Sequence, residues 1–215
     1  MSDAGPVARA AELAALGHRG PLSPAEHARL ETAALDDDDP RVRAAALGAL
    51  ARAAPGDAEV LWRRAAEDPA PSVRRRAAEL APSLRPSPTS AAVIDALLGL
   101  LDDRDVTVVE AAAWALGESG DAAIARSAVI ALARVVQEHR DALAREAAVA
   151  ALGALGDPRA LPAILRACGD KPAVRRRAVL ALAPFDGPEV DAAIDAALTD
   201  RDWQVRQAAE DLRGE

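Results

Sequence analysis

Large aromatic side chains and cysteine are scarce in this 215-residue chain. Tyrosine is absent, phenylalanine and cysteine each occur once, and tryptophan occurs three times. A single cysteine excludes an internal disulfide and a zinc site built on cysteine pairs. A core with so few large side chains favours close packing of helix on helix and disfavours a β-sandwich or barrel.

Basic charge is also in short supply, and nearly all of it is arginine. Lys and Arg total 26 against 34 Asp and Glu, which gives a net charge of −8 and a pI near 5.0, and Lys171 is the one lysine. A chain with this acidic balance is not expected to bind the phosphate backbone of a nucleic acid. The bias toward arginine is typical of a GC-rich genome.

Long apolar runs are missing as well. No stretch of about 18 apolar residues occurs without a charge, so no transmembrane helix is predicted. The first six residues carry an acid where a signal peptide would carry a base. We therefore expect a cytoplasmic protein with no membrane partner.

Alanine and a short internal repeat dominate what is present. Alanine supplies 57 of the 215 residues. One pattern occurs six times: an acidic residue and a helix break, often with proline, precede an alanine-rich helix. The anchor positions of this repeat are Val42, Val73, Val108, Ala144, Val174 and Val205. Alanine stands four residues after every anchor, on the face predicted to point inward. This alanine column is expected to mark a close approach of neighbouring helices.

Two charged columns run in phase with the anchors. Arginine directly follows the anchor at Arg43, Arg74, Arg145, Arg175 and Arg206. Aspartate stands five residues before the anchor at Asp37, Asp68, Asp103 and Asp200. The two columns could pair within a repeat or between neighbouring repeats and so form a ladder of ion pairs. The third and fourth repeats depart from the pattern, with Val109 in place of Arg and His139 in place of Asp.

A second amphipathic helix is predicted in front of each anchored helix. These segments cover 23–35, 57–67, 89–102, 121–138, 158–168 and 188–199. A further helix near 6–16 is predicted as an N-terminal cap, so that residues 1–20 form the cap and 21–215 form one repeat array. The proline-rich segment 82–88 is predicted to be a long loop within that array.

The repeated Val-Arg-x-x-Ala-Ala and the Ala-Leu-Gly-x-x-Gly-Asp ending at 151–157 resemble HEAT-like repeats. They are similar to the short form found in phycobilisome lyases and many bacterial scaffold proteins, over about 23–213. The resemblance implies an all-α fold: a right-handed α-solenoid of about six HEAT-like helical-hairpin repeats with an N-terminal cap helix. Such arrays host unrelated activities, so the function must be argued from a site.

Three families that resemble this architecture suggest other functions. Deoxyhypusine hydroxylases hold two irons with His-Glu pairs, whereas Glu26-His27 and Glu138-His139 are reversed and several repeats apart. Alkylpurine DNA glycosylases use a basic cleft lined with aromatic residues, which does not suit an acidic chain. A lyase-like accessory role in cofactor attachment or enzyme maturation is the main alternative, although no residue marks a tetrapyrrole site. We therefore predict no catalytic residue, no metal and no cofactor.

Several isolated features are interpreted as structural. Cys168 has no histidine near it in the repeat register, so it is predicted to be a small buried residue rather than a nucleophile. The run Asp36–Asp39 could attract cations, but it is interpreted as a turn whose acids cap the next helix. Trp62 and Trp203 are also interpreted as structural.

The remaining candidates lie on the face of the anchored helices that lines the concave surface in HEAT-like stacks. They are Arg75, Arg76, Glu110, Trp114, Glu146, Arg176 and Arg177. Trp114 either lines the groove or fills a gap under the third repeat. We expect a non-enzymatic scaffold or adaptor that binds a protein partner. Three repeat steps should separate the Arg pairs by roughly 25–30 Å. The partner is therefore expected to present an apolar anchor between two acidic patches at that separation.

Overall fold

The computed structural model describes residues 5–55, 58–84, 91–118 and 122–214. These residues form helices and turns, with no strand among them, which confirms the all-α class. The α-helices are α1 Pro6–Leu16, α2 Pro24–Asp36, α3 Pro40–Ala53, α4 Ala58–Ala66, α5 Pro71–Leu80, α6 Ala91–Leu100, α7 Val106–Gly117, α8 Ala122–Glu138, α9 Ala142–Leu155, α10 Leu161–Ala167, α11 Pro172–Ala181, α12 Pro188–Leu198 and α13 Trp203–Arg213. None of the helices in the described ranges combines the length and the hydropathy needed to traverse a lipid bilayer.

Local start signals explain where the helices begin. Before α2, Ser23 Oγ accepts a hydrogen bond from the backbone N of Glu26, and the Glu26 carboxylate accepts one from the backbone N of Ser23. Proline occupies the first position of α3, α5 and α11, where its missing N–H leaves no bond unmade. Of the predicted loop at 82–88, residues 82–83 belong to a short 3-10 helix, Ala81–Ser83, and residues 85–90 lie outside the described residues.

The chain packs as two compact units, Met1–Ala115 and Leu116–Glu215. In the first unit α1 packs on α3 and α3 on α5, while α2, α4 and α6 pack against this row. In the second unit α9 packs on α11 and α11 on α13, while α8, α10 and α12 pack against that row. The boundary between the units falls within α7. The prediction of one array over 21–215 stays a prediction.

The alanine column lies at the centre of the packing. All six of its members are without accessible surface: Ala46, Ala77, Ala112, Ala148, Ala178 and Ala209. A second close approach, which the repeat pattern did not assign, occurs at glycine. A methyl group added to Gly153 of α9 would lie 2.8 Å from the Cα of Ala181 in α11, and one added to Gly17 would lie 2.7 Å from the Cα of Ala49. Small residues at both places let the helix backbones approach each other.

The two charged columns pair between neighbouring repeats. Arg43 donates from Nε and Nη2 to the carboxylate of Asp68 at 2.8 and 2.7 Å, and from Nη1 to the carbonyl of Asp37 at 2.7 Å. The same arrangement recurs at Arg74–Asp103, Arg145–Asp170 and Arg175–Asp200. Each arginine therefore joins two successive turns, and these four pairs are the ion-pair ladder.

The ladder carboxylates are held in their charged form. Hydrogen bonds from Arg145 and Arg175 lower the pKa of Asp170 and of Asp200 against the opposing effect of burial. At Asp68 and Asp103 burial acts to raise the pKa, but the arginine and backbone N–H donors together outweigh it and the pKa is again lowered. Two charged residues lay outside the predicted columns: Asp170 of the ladder, and Arg9, which pairs with Asp37 at 3.0 Å.

The columns have three exceptions. One is Gly169, which directly precedes the ladder residue Asp170, and the other two are accommodated separately within each unit. Val109, which replaces the arginine, is fully buried in the first unit. In the second unit the Nδ1 of His139 accepts a hydrogen bond from the backbone N of Asp141 at 3.1 Å. The aspartates of the column accept the same bond from the residue two positions later, as Asp200 does from Asp202. His139 thus keeps the turn-stabilising role of the aspartate without its negative charge.

Candidate functional site

The exposed stripe of α7 carries Glu110 and Trp114. They stand one turn apart, and nearly all the other residues from Val108 to Leu116 are buried. The side chain of Trp114 is 48% exposed. Trp114 therefore lies at the surface and does not fill a gap in the core.

On α5, Arg75 and Arg76 share an acid from their own helix. Arg75 Nε lies 3.2 Å from Glu79 Oε1, and Arg76 Nη1 donates to Glu79 Oε2 at 3.0 Å. Arg76 also lies across Gly48 of α3, since a methyl group added there would be 2.9 Å from its Nη2. Burial and the nearby charge of Arg76 lower the pKa of Arg52. Positive charge is thus in excess on this surface of the first unit.

On α11, Arg176 and Arg177 share an acid from a neighbouring helix. The Nη2 atoms of Arg176 and Arg177 lie 3.8 and 3.6 Å from the same oxygen, Oε1 of Glu146 on α9. Both distances exceed the length of a hydrogen bond. The Nε atoms of both arginines are buried, and neither makes a hydrogen bond to an acceptor among the described residues. Two positive charges therefore face one negative charge in this cluster.

The structure gathers the seven predicted residues into three groups, each within one element or one pair of packed helices. Arg75 and Arg76 meet at Glu79, Glu110 and Trp114 share a stripe, and Arg176 and Arg177 meet at Glu146. Glu79 was missing from the predicted site, although its spacing of three and four residues from the two arginines was a sufficient signal.

The other two tryptophans differ in exposure. Trp62 of α4 is fully buried, and its Nε1 donates to the carbonyl of Ala77 at 2.5 Å, which confirms a structural role. Trp203 is the first residue of α13 and is 65% exposed, so its indole contributes little to the core.

The residues considered for catalysis or metal binding take structural positions. Cys168 is half-buried and not fully buried as predicted, and its partial burial raises the pKa of the thiol to about 11, which disfavours the thiolate. The run Asp36–Asp39 forms the predicted turn: Asp37 pairs with Arg9, and Asp39 caps α3 by accepting from the backbone N of Arg41. Within the described ranges no three His, Cys, Asp or Glu side chains are grouped in a way that could hold a metal ion.

A cavity of about 510 Å³ opens in the first unit beside that turn. Its charged lining includes Asp36, Asp38, Arg64 and Glu67 together with the ladder pair Arg43–Asp68. The pair already satisfies its own charges, and the remaining acids outnumber Arg64. The cavity holds none of the predicted site residues.

Comparison with known proteins identifies the repeat type. The family model for HEAT repeats matches residues 58–138 and 131–213. A search of curated proteins finds no match.

Three solved structures are similar to the chain. The Escherichia coli protein YIBA is 18% identical over 93% of this chain and 71% of its own, with a TM-score of 0.68. Computationally designed armadillo repeat proteins for modular peptide recognition are 17% identical over 86% of this chain and 98% of theirs, with a TM-score of 0.57. Human deoxyhypusine hydroxylase in complex with glycerol is 23% identical over 99% of this chain and 80% of its own, with a TM-score of 0.48. The first two of these likenesses bear on the fold and not on activity, because their identities are below 25%.

These matches agree with the repeat seen in the sequence and with the paired helices of the structure. Helical repeat folds of this kind are typical of protein-interaction scaffolds. The matched ranges together cover well over half of the 215 residues. The chain therefore belongs to the HEAT repeat family.

Proposed function

We propose that the chain is a non-enzymatic scaffold or adaptor that binds a protein partner through the exposed faces of α5 and α7 in the first unit and of α11 in the second. Trp114 is the observation that carries this proposal. It is 48% exposed on a helix whose neighbouring side chains are almost all buried. A surface tryptophan gains free energy when a partner covers it, and tryptophan is enriched among the residues that dominate binding.

The arginine pair of each unit supports the exposed faces of α5 and α11 as binding surfaces. Glu79 is shared by Arg75 and Arg76, and Glu146 is shared by Arg176 and Arg177, so each pair has more positive charge than its acid neutralises. The partner is expected to bring an apolar group to Trp114 and acidic groups to the arginines. The similarity in fold to proteins designed for peptide recognition is consistent with a polypeptide ligand.

Affinity capture from the source cell, with quantitative mass spectrometry, tests the proposal. The parent chain is compared with Trp114→Ala, with Arg75→Glu/Arg76→Glu and with Arg176→Glu/Arg177→Glu. We expect all three variants to lose the same protein. The loss for Trp114→Ala should be about thirtyfold, the equivalent of a hot-spot residue of about 2 kcal/mol.

The matched controls lie on α4. Arg63 and Arg64 are exposed, so Arg63→Glu/Arg64→Glu makes the same change of charge on an even-numbered helix. Val60 is 77% exposed, and Val60→Ala is the apolar control. If the three site variants fold and capture the protein as the parent does, the proposed faces are not the binding surface. The same conclusion follows if the control variants reduce capture equally.

A further inference from the structure

The cluster of Arg176, Arg177 and Glu146 has more hydrogen-bond donors than acceptors. Each guanidinium group offers five N–H donors. The carboxylate within 4 Å of both groups, that of Glu146, stays 3.6 Å or more from their Nη2 atoms. Both Nε atoms are buried without an acceptor among the described residues. Buried donors left in this way are costly, whereas the exposed 37% of each side chain can still take an acceptor from a ligand.

Arg175, the neighbouring arginine on α11, makes the hydrogen bonds that the next two arginines lack. Arg175 makes two hydrogen bonds to the carboxylate of Asp200 and one to the carbonyl of Asp170. Its side chain is 6% exposed, against 37% for Arg176 and for Arg177. Arg175 is therefore part of the fold, whereas the next two arginines are reachable from solvent.

We infer that the Arg176–Arg177 pair is a carboxylate-recognition site, at which an Asp or Glu side chain of the partner protein docks on the two guanidinium groups. This assignment rests on the proposed function and specifies which arginine pair receives a carboxylate of the partner. Two arginines and one glutamate leave one positive charge, which a single carboxylate neutralises. A planar guanidinium also matches a carboxylate in shape, because it can donate two parallel N–H bonds.

The arginine pair of the first unit is less suited to this role. Arg76 already donates to Glu79 at 3.0 Å, and Arg75 Nε lies 3.2 Å from the other oxygen of that carboxylate. Glu79 therefore occupies donors that the α11 pair leaves open. The site assigned here is the α11 pair alone.

Nuclear magnetic resonance of the arginine side chains tests the assignment. The full-length chain is titrated with a short peptide that contains two glutamates and, separately, with the same peptide carrying glutamines. We expect saturable shifts of the Nε–Hε signals of Arg176 and Arg177 with the glutamate peptide only. The signals of Arg63 and Arg64, an exposed pair on α4, should not move. Equal movement of both pairs, or no saturable shift, would overturn the assignment.

Two variants give effects of opposite sign. Arg176→Gln/Arg177→Gln should weaken peptide binding about tenfold or more, the loss expected for a charge-assisted hydrogen bond. Glu146→Gln should strengthen it several-fold, because the resident acid no longer competes. A purely structural ion pair predicts no gain from Glu146→Gln. Unfolding curves of both variants establish that they are folded.

Inorganic phosphate is the third arm of the experiment. If phosphate saturates the Arg176 and Arg177 signals at a lower concentration than the glutamate peptide, the site takes phosphoryl groups and the carboxylate assignment is wrong. Failure of the peptide with partner capture still sensitive to Trp114→Ala would remove this inference and leave the proposed function. Peptide binding together with partner capture that no site variant changes would remove the proposed function and leave this inference.

Discussion

The first and second units carry the same Arg-Arg-Arg sequence on α5 and α11, yet the three arginines are held differently. In both units the first arginine, Arg74 or Arg175, belongs to the ion-pair ladder. On α5 the other two meet a glutamate of their own helix, whereas on α11 they meet Glu146 from α9. The first arginine of the triplet therefore has the same structural role in both units. The other two differ between the units, because their acid comes from the same helix on α5 and from a neighbouring helix on α11.

Acidification should have the largest effect, because it acts on the ladder of both units at once. The pKa values of Asp68, Asp103, Asp170 and Asp200 are lowered in the folded chain. Groups with a lowered folded pKa contribute stability above their unfolded pKa, which is about 3.9, and lose it as the pH falls through the folded value. We expect the free energy of unfolding in urea to be level between about pH 7 and 5 and to fall below about pH 4. A variant with Asp200→Asn should fall less steeply, and a curve identical to that of the parent would contradict this account.

Removal of a single ladder arginine should have the next largest effect. Arg175→Ala leaves the carboxylate of Asp200, which is 16% exposed, without its cation. The expected cost is about 3–5 kcal/mol in the free energy of unfolding. The adjacent substitution Arg176→Ala should cost about 1 kcal/mol or less, because that arginine makes no close hydrogen bond to Glu146. Chemical denaturation measures both, and similar costs would abolish the distinction between structural and site arginines.

The contact between α9 and α11 offers a way to disturb one arginine pair and spare the other. Gly153→Ala places a methyl group 2.8 Å from the Cα of Ala181, so the two helices must separate. We expect a cost of about 1–3 kcal/mol in denaturation. The Nε–Hε signals of Arg176 and Arg177 should shift, while those of Arg75 and Arg76 should not.

Gly99→Ala is the matched control for this experiment. Gly99 lies inside α6, and a methyl group there meets nothing within 4 Å. The change should stabilise the chain by about 0.5–1 kcal/mol, because alanine is the better helix former. Destabilisation by Gly99→Ala equal to that by Gly153→Ala would mean that close approach is not the cause.

Replacement of the two glutamates should separate the pairs more finely. Glu146→Gln should cost about 1–2 kcal/mol, because Glu146 is 19% exposed and faces two arginines. Glu79→Gln should cost about 0.3–0.5 kcal/mol per pair lost, the usual value for an exposed pair on one helix. Urea denaturation at low and at high salt checks this order, and a larger effect at Glu79 would contradict it.

Addition of the chain to labelled nucleic acid should give the smallest effect of all these measurements. The net charge of −8 leaves the arginine pairs as small basic patches among acids. We expect no binding of labelled duplex or single-stranded DNA or RNA below the micromolar range at physiological salt, as measured by fluorescence anisotropy. Sub-micromolar binding by either arginine pair would replace the protein partner with a nucleic acid.

The repeat pattern predicted most of the fold, because each helix carries its own local signals. Proline at helix entry, glycine at helix ends and alanine four residues after each anchor are short-range features, and α1 begins and ends where the sequence placed the cap helix. The individual site residues were predicted from the sequence, but the way in which they group around shared glutamates was not. Trp114 had two interpretations because helical spacing does not say how much of an indole its neighbours cover.

By itself, the sequence determined the all-α class, the helix order, the buried alanine column and the two columns of opposite charge. These follow from periodicity and from residues close together in the chain. Tertiary structure decided that the columns pair between repeats, since Arg43 and Asp68 are 25 residues apart and meet only when the helices stack. It also decided that Glu146 approaches the Arg176–Arg177 pair from α9, because contacts across helices depend on packing distances that no local pattern encodes.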